Sequence, residues 1–179
     1  MNKEQISTII NDAVNKLYEK DSLLITKDLS ERSITHRLSV YLENKFPEYV
    51  IDCEYNGYAL ADKDRKYINV LRKSLQLLGR LRENEEEGET ISRHVFPDII
   101  VHKRTLPENK LIIEIKKEKN RDIEYDCLKL HCYTTDQMDN ELRYELGLLI
   151  VFDTGKEQPN HSVLWYENGN PISDEKIIF

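Results

Sequence analysis

The sequence predicts an α/β fold, with helices on the faces of one mixed central sheet. Two strand-like apolar runs, Phe96-Pro97-Asp98-Ile99-Ile100-Val101 and Leu111-Ile112-Ile113-Glu114-Ile115-Lys116-Lys117, lie in mid-chain. Helical apolar spacing occurs before and after them. A third apolar run, Leu148-Leu149-Ile150-Val151-Phe152, follows the later helix. With an insertion after the first strand set aside, the order is helix, three strands, helix, strand. A sheet covered by helices is the arrangement that buries such a set.

Lys3 to Lys20 carries Ile6, Ile9, Ile10, Ala13, Val14, Leu17 and Tyr18 at helical spacing, and Asp21-Ser22 is expected to break that helix. A second helix is predicted from Ser30, a good N-cap, with Glu31 in its first turn. Ile34, Leu38, Tyr41, Leu42 and Phe46 form its buried stripe, and Pro47 is expected to end it. Tyr49 to Tyr55 reads as the first strand, closed by Asn56-Gly57. The insertion runs from Tyr58 to Ser92. Within it, Ile68, Leu71, Leu75 and Leu78 predict a helix over Tyr67 to Leu78 with Gly79 as its C-cap. Glu83 to Glu89 has no apolar pattern and reads as an exposed loop.

Arg93 to Glu118 then reads as a hairpin whose two apolar runs are joined by the polar loop Lys103 to Lys110. Arg121 to Thr134 is predicted helical, with Ile123, Leu128, Leu130 and Tyr133 among its apolar positions. Gly147 to Asp153 is a buried strand. Val163 to Tyr166 and Lys176 to Phe179 read as short edge strands around the turn Asn168-Gly169-Asn170-Pro171.

The 179 residues read as a single domain, with a core over about 29–153 and the insertion over about 58–92. Hydrophobic residues at 39% and charged residues at 33% match a globular profile and exclude a disordered one. No apolar run is long enough to span a bilayer, and the opening Met1-Asn2-Lys3-Glu4-Gln5, with acid early and no apolar stretch, reads as lacking a secretory signal. The expectation is a cytoplasmic protein without a membrane partner, its Cys53, Cys127 and Cys132 reduced. A net charge of −7 argues against a nonspecific nucleic-acid coat. The charge is uneven, however. Lys63, Arg65, Lys66, Arg72, Lys73, Arg80 and Arg82 share their stretch with Asp64 alone, and five glutamates follow between Glu83 and Glu89. This basic stretch is a candidate lining for a nucleic-acid groove, with Lys66 a candidate phosphate contact. A solvated helix face explains it almost as well.

Set into the hairpin's apolar runs are Asp98, Glu114 and Lys116. Residues two apart on a strand share a face, so Glu114 and Lys116 point the same way. A turn near Leu106-Pro107 puts Asp98 opposite Ile115, give or take a residue. Cross-strand neighbours lie roughly 5–8 Å apart, so the three side chains converge. A salt-bridge ladder on a half-exposed sheet is the ordinary alternative. Runs apolar on both faces point instead to central strands, where charges are costly without a purpose. Two adjacent carboxylates repel one another unless a cation sits between them. Phosphodiester hydrolysis needs an activated water and a stabilised negative charge, and a divalent cation on carboxylates provides both. Mg²⁺, with Mn²⁺ as a substitute, suits two carboxylates plus waters and a phosphate. Asp98 and Glu114 are the candidate ligands, and Lys116 is the group that would orient or deprotonate the water.

Pro97-Asp98 with Glu114-Ile115-Lys116, in a helix–three strands–helix–strand order, resembles the PD-(D/E)XK nuclease superfamily over roughly Leu29 to Asp153. The resemblance implies a restriction-endonuclease-like core, extended by the N-terminal helix and a helical insertion after the first strand. It implies a Mg²⁺-dependent phosphodiesterase acting on nucleic acid, DNA ahead of RNA. It further implies a metal oxygen from the backbone carbonyl of Ile115 and an assisting acid on the earlier helix, where Glu31 is suitably placed. Such an acid has an ordinary explanation too, since the helix dipole favours it in a first turn. The helix after the hairpin flanks the site in that superfamily, which makes Lys129 a candidate phosphate contact. Asp126 and Lys129 also match a plain surface ion pair. Arg37, with His36 beside it, is a further phosphate candidate, and Glu54 is an accessory ligand or an ion-pair partner. Two other readings stay open. One is a nuclease-fold binding or assembly module that does not cut, favoured by the acidity and the lack of a helix-turn-helix or zinc-finger reader. The other is a nuclease subunit that needs a partner; a homodimer is open as well.

Overall fold

The computed structural model describes residues 1–57, 65–83, 85, 87–119 and 122–172. Helix α1, Lys3–Thr26, opens with a reciprocal cap in which Asn2 and Gln5 each accept the other's backbone N–H. Asp21, with φ −129° and ψ 27°, interrupts it without ending it, and the helix resumes to bury Ile25. The predicted break is a kink. Its carboxylate accepts from Arg37 at 2.8 Å and from the Tyr41 hydroxyl, both on helix α2, Glu31–Leu42. Helix α2 stops five residues before Pro47: Glu43 leaves it at ψ 138°, and Asn44, at φ 65°, turns the chain back. Phe46 is buried in the same core from beyond that turn, which is why it matched the helical stripe.

The strands among the described residues are β1 (Val50–Cys53), β2 (Tyr67–Leu71), β3 (Thr90–His94), β4 (Ile99–His102), β5 (Asn109–Lys117), β6 (Leu146–Asp153), β7 (Asn160–Glu167) and β8 (Asn170–Ile172). Six of them form one sheet in the order β1-β4-β5-β6-β7-β8, and β2 and β3 pair separately. Only β5 and β6 are parallel in the large sheet, and helix α4, Ile123–Thr134, lies between them in the chain. The sheet is therefore mixed and the class is α/β. Alternation along the strands sends Ile99, Val101, Ile113 and Ile115 towards α1 and α2. Ile100 and Ile112 face α4 and the small sheet. With both faces covered, β5 is buried continuously from Asn109 to Ile115.

Three local expectations are corrected. The helix predicted over Tyr67 to Leu78 is strand β2 followed by a short α3, Arg72–Leu77. Ile68 and Val70, β-branched and two apart, are both fully buried against β3 and α4, whereas Leu71 is 38% exposed. Period two wins over the helical match. Gly79, at φ 64°, does close α3, with its N–H on Gln76 O and that of Arg80 on Leu75 O. In the predicted exposed loop, Glu85 turns inward to pair with Arg93. The edge strand expected at Val163 to Tyr166 is part of β7, eight residues long and interior, because polar Asn160–Ser162 also pair with β6. The strand expected at Lys176 to Phe179, and Lys63, Asp64, Glu86 and Arg121, lie outside the described residues. No helix among the described residues is long and apolar enough to cross a membrane.

Two details set the layers against each other. Gly147 of β6 lies under α4, and a Cβ there would meet Leu130 Cδ2 and Thr134 Cγ2 at 3.1 Å. On the other layer, Asp28 between α1 and α2 accepts from Thr154 Oγ1 at 2.6 Å and pairs with Lys117 at 2.9 Å. That latch ties the start of α2 to the ends of β5 and β6. The Thr154 hydroxyl, then Lys117, hold the Asp28 carboxyl down at about 2.

Gly147→Ala is expected to lift α4 and to cost roughly 1–3 kcal/mol, read as a lower urea midpoint. Because the Asp28 pKa is depressed, its contribution is complete above the ordinary 3.8 and is lost as pH falls through about 2. Asp28→Asn should therefore melt below the wild type at pH 7, and the gap should close as the pH is lowered across that window.

Candidate active site

Asp98 stands at the bend just before β4, and the strand register selects its neighbour. Ile99 pairs with Ile113, so continuing the ladder sets Asp98 across from Glu114, one residue from the expected position. Asp98 Oδ2 accepts the Ile115 N–H at 2.7 Å, which anchors the carboxylate at the end of the β4–β5 ladder. Ile115 thus enters the site through its amide. By alternation Glu114 and Lys116 share the face of Ile112, the face covered by α4.

What meets them there is the first turns of α4. Glu114, 1% exposed, has Oε2 at 2.8 Å from Lys129 Nζ, while its Oε1 has no hydrogen-bond partner. Lys129 Nζ is also 2.6 Å from Asp126 Oδ1. Asp126, 2% exposed, has its Oδ2 at 3.3 Å from Lys116 Nζ, an ion-pair distance without hydrogen-bond geometry. Lys116 in turn lies 3.7 Å from Glu31 Oε2. Glu31 Oε1 accepts the Lys117 N–H at 3.0 Å, so the acid at the start of α2 reaches the end of β5 from the opposite layer. Acid and base alternate from Glu114 through Lys129, Asp126 and Lys116 to Glu31.

Burial and like charge govern this chain. Burial, with Asp98 and Asp126 nearby, pushes the Glu114 carboxyl up to about 8 although Lys129 pulls it down. Asp98 is also raised by burial, against the opposing pull of the Ile115 N–H and Lys116. For the two lysines burial disfavours the charge, but the carboxylates overcome it and raise both. Asp126 and Asp98 act most on Lys116, and Glu114 and Asp126 on Lys129. Both ammonium groups stay protonated at neutral pH. Tyr133, one turn beyond Lys129, is fully buried beside Glu114, and burial, with that neighbour, keeps its hydroxyl protonated.

Asp98 and Glu114 are the carboxylates that would offer oxygens to a hard divalent cation here, since such ions take oxygen ligands and a desolvated carboxylate gains from a cation beside it. The set is a pair: among the described residues no group of three or more His, Cys, Asp or Glu side chains is placed to hold a metal ion.

The other candidates lie elsewhere. Arg37 is held at the α1 kink by Asp21 and stacks on Tyr41, 5.0 Å from the ring centre. Lys66 is only 2% exposed, with Nζ on the Gly57 carbonyl at 2.6 Å and over the Tyr55 ring at 4.6 Å. Burial lowers its pKa to about 8, and its enclosed ammonium offers nothing to a phosphate. Glu54 pairs on the surface with Arg32 at 2.9 Å, and its N–H donates to the Asp98 carbonyl. In the basic insertion, Arg80 pairs with Asp122 and lies 5.2 Å from the Tyr125 ring centre, bracing the start of α4.

Sequence reasoning missed Asp126 as a site residue, because an i,i+3 ion pair reads as surface. The available signal was its place on the stripe of Leu130 and Tyr133, four and seven residues on. Comparisons of the chain with protein-family models, with curated proteins and with solved structures give no match.

Proposed function

We propose that this protein is a metal-dependent nuclease with a restriction-endonuclease-like core, hydrolysing phosphodiester bonds, in DNA ahead of RNA. The observation that carries the reading is the meeting of Asp98, Glu114 and Lys116, with Glu31, at the end of a central strand buried on both faces. Charges placed there cost several kcal/mol each unless they are compensated. A site for a phosphate and its cation gives them a use.

A divalent ion bound by Asp98 and Glu114 would polarise the phosphate and supply an activated water. The chain's own residues do the rest. The Ile115 amide holds Asp98 in place, and the α4 layer keeps bulk water from Glu114. Lys116, pinned between Asp126 and Glu31, is the cation that faces the reacting phosphate. It is placed to orient the water and to stabilise developing charge. Glu31 sets the angle of Lys116 and fixes the end of β5 through the Lys117 amide. A second reading, a binding module that does not cut, draws on one observation: Lys129 already neutralises Glu114 and Asp126.

The test is incubation with single- and double-stranded DNA and RNA in Mg²⁺, Mn²⁺ or EDTA. Wild type should cleave at least one substrate with metal and none in EDTA. Asp98→Ala and Lys116→Ala should each lose about 10²–10³-fold or more in rate, with unchanged circular dichroism. Equal cleavage by all three proteins would overturn the assignment. Nucleic-acid binding without cleavage or metal uptake would select the binding module.

A further inference from the structure

We propose that Lys129 is a built-in cation filling the second cation position of this site, between Glu114 and Asp126, so that the protein takes one divalent ion and not two. The inference rests on the metal-dependent reading above and specifies how that site is charged.

The geometry is that of a bridged carboxylate pair. One ammonium lies 2.8 Å from Glu114 Oε2 and 2.6 Å from Asp126 Oδ1, and all three side chains are buried or nearly so. A second ion of a two-metal site would need a further pair of carboxylates, and this is the pair that α4 and β5 bring together. Here it is already taken by an ammonium. An ion seated between Glu114 and Asp126 would have to expel Lys129, leaving an uncompensated charge in a desolvated space, which is strongly unfavourable.

The Lys129 side chain has little room to leave: its ammonium lies 5.9 Å from the Tyr125 ring centre, and Tyr133 is packed one turn on. Asp126 then acts as a positioning residue, setting Lys129 with one oxygen and Lys116 with the other.

The experiment counts Mn²⁺ ions per chain at saturation, from the free-Mn²⁺ paramagnetic resonance signal, without nucleic acid. Wild type and Lys129→Arg should bind one ion, and Lys129→Met should bind two. Lys129→Met that folds only when Mn²⁺ is present supports the same exchange of ammonium for metal. Asp126→Asn removes a carboxylate from the ammonium and none from the ion. It should keep one ion, weakened at most by the about 10–100-fold of an outer-shell change. Two ions on wild type, one on a folded Lys129→Met, or none on Asp126→Asn would overturn the proposal. These outcomes leave the metal-dependent reading standing. Wild type without any Mn²⁺ would overturn that reading, and this proposal with it.

Discussion

The site depends on Lys129 standing between Glu114 and Asp126. Without that ammonium, β5 and α4 would press two carboxylates together in a space from which water is excluded. With it, strand and helix are joined by an ion pair at the point where each carries its costliest charge. Isolated buried ion pairs often contribute little net stability, because desolvation offsets attraction. What this one contributes is definition. It sets which side chains face one another and keeps Lys116 protonated through the shared Asp126.

Both layers are adjusted to that requirement. Gly147 lets α4 settle close to β6, which brings Asp126 and Lys129 down to the level of Glu114. From the far side, the Asp28 latch draws the start of α2 towards the ends of β5 and β6, and Glu31 arrives beside Lys116. The kink at Asp21 belongs to the same arrangement, since Arg37 and Tyr41 hold α2 against α1 there. Residues far from the site in sequence thus decide its geometry. A lost methyl-sized gap or a lost latch should be felt at the site as well as in the fold.

Much of the frame was legible because it rests on local periodicity. Alternation set Glu114 and Lys116 on one face, and a short polar loop made β4 and β5 neighbours, which brought Asp98 to them. Errors came where two periods competed or where a partner was distant. Tyr67 to Leu71 satisfies a helical match as well as an alternating one, and only pairing with β3 decides between them. Lys66 reads as one more cation in a basic stretch until the Gly57 carbonyl and the Tyr55 ring enclose it. Arg37 reads as a phosphate ligand until Asp21, on another helix, claims it.

The sequence by itself determined the α/β class, the two central strands and the acid–acid–base set of Asp98, Glu114 and Lys116. Spacing along a chain fixes which way neighbouring side chains point. Tertiary structure alone decided that Asp126 and Lys129 are buried, that Glu31 crosses from the other layer, and that a lysine sits between the carboxylates. An i,i+3 pair looks the same in sequence whether it faces water or a strand. Its meaning depends on how close the helix lies to the sheet, and here a glycine on β6 sets that distance.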